Sequence, residues 1–114
     1  MRIVTDRIAI SELKNMAERM FGSFVKAVVD VEEGTMAVDA ELHADEEALL
    51  LREGSEQVNL WGINLYPGLF GRSDWIEFDA MINVRPGQGN RSRGVEDGAI
   101  RESIIRIVSE LIEG

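Results

Sequence analysis

Asp39, Glu41 and His43 stand at every second position, so on an extended strand all three side chains leave from one face. Carboxylate and imidazole groups in line are candidate acid/base groups, and two ligands at i and i+2 can share a divalent ion. Glu77 or Asp79 would complete a shell begun by Glu41 and His43 if the strands that bear them lie side by side. The chemistry indicated is metal-dependent hydrolysis of a phosphoester, with Asp39, Glu41, His43 and Asp79 gathering the ion or moving protons. The spacing matches no calcium loop and no HExxH helix, and the chain has one histidine. No cofactor is therefore predicted; a divalent metal is the one these side chains would accommodate.

A second constellation spans residues 76–96, IEFDAMINVRPGQGNRSRGVE, where an alternating strand runs into a loop rich in glycine and arginine. No acidic residue occurs from Ala80 to Val95, although the chain as a whole carries a formal charge of -9. Pro86, Gly87 and Gly89 break the strand, and Arg85, Arg91 and Arg93 bring guanidinium groups able to hold phosphate or carboxylate through two parallel bonds. Asn90 and Ser92 add neutral donors just upstream of the last helix. Glycine lets a backbone approach an anion closely, and the first N–H groups of a helix lack internal partners. The expected ligand is an anionic small molecule, with phosphate-bearing molecules included. Neither GxxxxGK[ST] nor a GxGxxG after a buried strand is present, which excludes the two standard nucleotide loops. The same arginines have a second reading, in which they turn inward and neutralise Glu77, Asp79 or other acids of the chain.

Charge is segregated. Residues 27–51 hold Asp30, Glu32, Glu33, Asp39, Glu41, Asp45, Glu46 and Glu47 and no Lys or Arg. An arginine loop on one subunit could thus dock on the acidic block of another in a symmetric homodimer, which is the interaction-protein alternative. With 21 acidic against 12 basic residues, binding to nucleic acid through its phosphates is disfavoured. The absence of cysteine excludes disulfide and thiolate chemistry and fits a reducing cytoplasm. No apolar run approaches the roughly 20 residues of a membrane span.

The elements that must position these groups follow from periodicity. Leu13, Met16, Ala17 and Met20 mark an amphipathic helix over residues 11–21, capped by Ser11 and stopped by Gly22. A hairpin turning at Glu33-Gly34 would set Val29 against Val38, Ala27 against Ala40, and Lys26 against Glu41. The contiguous leucines of residues 48–51 read as a third strand, followed by strands over 58–66 and 75–84. A helix from about Asp97 carries Ile100, Ile104, Ile107, Val108 and Leu111 on one face. The fold expected is α+β: one domain over residues 1–114, an antiparallel sheet of about five strands, and N- and C-terminal helices on one face. Its other face would display Lys26, Asp30, Asp39, Glu41, His43, Asn64, Tyr66, Glu77, Asp79, Asn83 and Arg85 to solvent. Trp61 and Phe78 belong in the core, whereas Trp75, after a polar turn, is the candidate for an exposed contact.

The segments AVDAELHADEEALLL, LWGINLYP and IEFDAMINVRPGQGNRSRGVED together resemble a family of short archaeal and bacterial proteins of unknown function that covers essentially this whole length. The resemblance implies a stand-alone cytoplasmic protein. It brings no activity, cofactor or catalytic residue.

Overall fold

A computed structural model describes residues 1–114. Strand β1 (Arg2–Val4) and the short β2 (Ile8–Ala9) lead into helix α1 (Ile10–Arg19). Strands β3 (Val25–Asp30) and β4 (Thr35–Val38) are followed by helix α2 (His43–Arg52), then by β5 (Leu60–Leu65) and β6 (Ile76–Glu77). The chain closes with helix α3 (Gly98–Leu111) and β7 (Ile112–Glu113). Five strands form one antiparallel sheet in the order β1-β4-β3-β5-β6, and β7 pairs in parallel with β2. No helix is long and apolar enough to cross a membrane.

Helix α1 starts one residue before the expected Ser11 cap. Ala9 is its N-cap, and the Glu12 carboxylate, at the third helical position, reaches back to accept the Ala9 N–H at 3.1 Å, the half of a capping box that needs no serine. Asp97 does cap α3, its Oδ1 accepting from the N–H groups of Ala99 and Ile100.

The β3–β4 hairpin forms, but its register is shifted by two residues from the expected one: Val29 lies opposite Met36 and Ala27 opposite Val38. Asp30 causes the shift. Its Oδ1 accepts the N–H groups of Glu32 and Glu33, widening the turn to four residues, and Gly34 closes it at φ +71°. A slip of two leaves every side chain on its original face, so the apolar pattern tolerates both registers. Strand β4 ends at Val38, and Asp39 turns the chain out of the sheet at φ +69°. Glu41 is therefore not a strand residue opposite Lys26; the Lys26 ammonium instead donates to the Glu41 carbonyl at 2.8 Å.

The run at 48–51 is not a strand. It lies in α2, whose buried stripe is His43, Glu46 and Leu50. That stripe has helical spacing, but two of its three residues are polar, so an apolar count cannot find it. Leu51 is correspondingly 40% exposed. Gly54 at φ +105° ends the helix: the Ser55 N–H reaches the Leu50 carbonyl and the Gly54 N–H the Leu51 carbonyl, which satisfies two end carbonyls. The sheet nonetheless has five strands, because β1 supplies the one that α2 does not.

A cluster of 21 buried residues joins Leu13, Met16 and Ala17 of α1 and Ile104, Ile107, Val108 and Leu111 of α3 to Val25, Ala27, Val29, Met36, Val38, Trp61, Ile63 and Leu65 of the sheet. Trp75 belongs to this cluster at 7% exposure, with Phe70 packed edge-on at 5.0 Å, so it is a core residue rather than an exposed contact. On the alternate positions of the strands, Val28, Ala37 and Leu60 form a second cluster with Leu50 of α2. The face expected to be open is thus partly roofed by a helix.

Candidate functional site

Helix α2 roofs only part of its face. Beyond its first residue, His43, the sheet is uncovered and a cleft of about 550 Å³ opens. Lys26 of β3, Asn64 of β5, Tyr66 and Glu77 of β6 furnish its floor, and Asp79 and Arg93 its far wall. Leu42, Met81 and Ile82 add apolar surface. Polar and apolar side chains share the lining about equally, so the cleft suits a small polar molecule with some apolar surface.

Strand pairing explains the convergence. Lys26 lies opposite Asn64 and Asn64 opposite Glu77, so these three residues form one row across β3, β5 and β6. The Glu77 Oε1 accepts from Asn64 Nδ2 at 2.9 Å and from the Tyr66 hydroxyl at 3.0 Å. Burial and the neighbouring Glu77 charge together push the Tyr66 hydroxyl above its ordinary pKa, keeping it a donor. Phe24 meets the Tyr66 ring edge-on at 5.5 Å and holds that wall of the cleft.

His43 sits where glycine leaves room. A Cβ at Gly62 would stand 2.5 Å from the Ala80 Cβ and 3.2 Å from His43 Cδ2, closer than side chains pack. The His43 Nε2–H donates to the Ile63 carbonyl at 2.8 Å, which leaves Nδ1 as the ring nitrogen with a lone pair. Burial lowers its pKa, opposed by the Ile63 bond, so the ring is mostly neutral at pH 7. Asn83 seals the strand edge below: its amide accepts the Gly62 N–H at 2.8 Å and donates to the Gly62 carbonyl at 2.9 Å, as a neighbouring strand would.

The arginine loop divides its residues among different tasks. Arg93 turns inward, its Nε donating to Asp79 at 2.6 Å on the cleft wall. Arg85 stacks over Trp61 at 4.2 Å and donates to the carbonyls of Gln57 and Leu60, joining the loop to β5. Asn90 is buried; its Nδ2 donates to the carbonyls of Asn83, Ser92 and Gly94, and its Oδ1 accepts the Glu96 N–H. The Arg91 and Ser92 N–H groups both donate to the Glu96 carboxylate, at 2.6 and 2.9 Å. Those two bonds hold Glu96 below the ordinary carboxylate pKa. The backbone seat that such a loop offers an anion is filled by a carboxylate of the chain itself. The Arg91 side chain is exposed and forms no ion pair.

Of the acid/base set, His43 and Asp79 share the cleft, while Asp39 and Glu41 lie outside it, Asp39 within 3.6 Å of Arg19. No three His, Asp or Glu side chains come together in a way that could hold a metal ion. Lys26, Asn64, Tyr66 and Glu77 were legible as residues of the same sheet face, though not as a site. The one unread signal was Gly62, a lone glycine inside an apolar strand, which commonly marks a close approach by another group.

Fold and cleft define a small α+β protein with a five-stranded antiparallel sheet and a polar recess at the end of one helix. The chain belongs to the family described as Protein of unknown function (DUF5674), whose model matches residues 2–111. No curated protein and no solved structure gives a significant match.

Proposed function

We propose that this protein binds a small polar molecule in the cleft beside His43, with an acidic group of that molecule held by Lys26 and Arg93. The observation that carries this reading is the convergence of Lys26, His43, Tyr66, Glu77, Asp79 and Arg93 on one concavity of ligand size. The start of α2 adds to it, because Leu42 offers no side-chain oxygen to cap the first N–H groups, which favour negative charge. The anion site therefore moves from the backbone of the glycine loop, where Glu96 already sits, to the cleft wall that Arg93 reaches. The reading also takes α1 and α3 to cover the opposite face together, which their shared cluster with Val25, Ala27 and Ile63 supports.

A thermal-shift panel of inorganic phosphate and small carboxylic acids tests it. Binding to the folded state alone raises the melting temperature, by a stabilisation that grows as the logarithm of one plus the ratio of free ligand concentration to Kd. Lys26→Ala and Arg93→Ala should each remove the shift, whereas Arg91→Ala should keep it; a shift lost only with Arg91→Ala would place the anion in the loop instead.

A further inference from the structure

We propose that the ligand of this cleft is a zwitterion, with a protonated amine seated on Glu77 and its acidic group toward Lys26. The inference rests on the cleft reading above and adds the charge pattern of the molecule that fits. Lys26 and Glu77 are the two ends of the row that crosses β5 at Asn64, so their backbones stand about 10 Å apart, two strand spacings. They do not pair with each other. The Lys26 ammonium donates to the Glu41 carbonyl and lies 5.0 Å from the centre of the Phe21 ring, while Glu77 is held by two neutral donors, Asn64 and Tyr66. Both of those donors use Oε1, so Oε2 is left to accept from a ligand.

The other two charges of the cleft balance each other, the Arg93 Nε donating to Asp79 at 2.6 Å, which leaves the terminal nitrogens of Arg93 to assist Lys26. The recess thus has one cation and one carboxylate without an ionic partner, at the two ends of its floor, and no net charge of its own, His43 being neutral. A ligand with an acid alone would bring its charge near the unneutralised Glu77, and an amine alone would face Lys26. A molecule with both satisfies each wall and forms charge-assisted bonds at both ends. Phe24 and Tyr66 provide an apolar flank for the carbon chain between.

Calorimetric titration with the ω-amino acids from glycine to 6-aminohexanoate, beside butyrate and butylamine, tests the proposal. One member of the series should bind about tenfold or more tightly than either single-charge control. Glu77→Gln should bring that member down to the affinity of butyrate, and Lys26→Met to that of butylamine, both variants keeping the far-UV circular dichroism of the parent. Equal affinity for butyrate and the best amino acid would overturn the zwitterion while leaving the anion reading standing. Failure of the whole series to bind would overturn the zwitterion too, and a phosphate or carboxylate shift that survives Lys26→Ala and Arg93→Ala would overturn the cleft reading itself.

Discussion

The His43 Nε2–H donates to the Ile63 carbonyl at 2.8 Å across the bare backbone of Gly62. A helix thereby rests its first side chain directly on a strand, and the imidazole is fixed in one tautomer at the mouth of the cleft. The bond and the burial act in opposite directions on the ring, and burial is the larger. His43 should titrate below the ordinary histidine value of 6.5, with Nε2 protonated in the neutral form. Long-range nitrogen–proton correlation spectra read both properties; an Nδ1-protonated ring, or a midpoint above the ordinary value, would contradict the geometry.

Gly62→Ala should destabilise the fold. The new methyl group would meet the Ala80 Cβ at 2.5 Å and crowd His43 and Ile82 at 3.2 Å, and neither the alanine nor the sheet can withdraw easily. Overpacking of this kind costs about 1–3 kcal/mol, against roughly 0.4–1 kcal/mol regained from a stiffer unfolded chain. Urea unfolding should show a net loss; an unchanged or raised midpoint would mean that Ala80 and His43 do not press on β5 at Gly62.

Glu46 is fully buried beneath α2, accepts only the Ala40 N–H, and has one oxygen without a partner. Burial pushes its pKa up to about 10, from an ordinary carboxylate value of 4.5. The folded protein therefore binds a proton that the unfolded chain releases, and the group's contribution is fully present below about 4.5 and lost as pH rises toward about 10. Glu46→Gln keeps the acceptor without the titration. It should flatten the decline of stability between pH 5 and 9, as read by unfolding midpoints across that range; a parallel decline in the variant would assign the slope to other groups.

Arg85 and Arg91 look alike in sequence and should behave differently. Arg85→Ala removes a guanidinium stacked on Trp61 and leaves the carbonyls of Gln57 and Leu60 without a donor, at a cost of about 1–3 kcal/mol. Arg91→Ala removes an exposed, unpaired side chain and should change stability by less than about 0.5 kcal/mol. Denaturant unfolding of the two variants checks the contrast, and equal effects would refute the division of labour in the loop.

The parts of the fold visible from residue order are those governed by apolar period. Helix α3 shows in the sequence with its start near Asp97, α1 to within a residue or two of its ends, and β5 through its apolar run. What escaped depended on polar side chains behaving as core or as backbone. Glu46 and His43 form the buried stripe of α2 with Leu50, so the helix has too few apolar positions for its period to show, and the leucines of residues 48–51 read as a strand. Asp30 lengthened a turn, and Asn83 stood in for the strand expected beyond Glu77. The same limit applied to the site. Its charged residues could be assigned to one face, but the cleft exists only because α2 begins at His43 and leaves the sheet beyond it uncovered. The question of whether the arginines turn outward or inward had a different answer for each: Arg93 turns to Asp79, Arg85 to the backbone and Arg91 to solvent.

The most direct measurement is amide chemical-shift mapping during titration with small carboxylic acids and inorganic phosphate. Binding in the cleft predicts saturable shifts clustered at Lys26, His43, Ala44, Asn64, Tyr66, Glu77, Asp79 and Arg93, with Arg91 and Ser92 unmoved because Glu96 holds their N–H groups. Shifts centred on Arg91 and Ser92 with a silent cleft, or no saturable shift anywhere, would contradict the account.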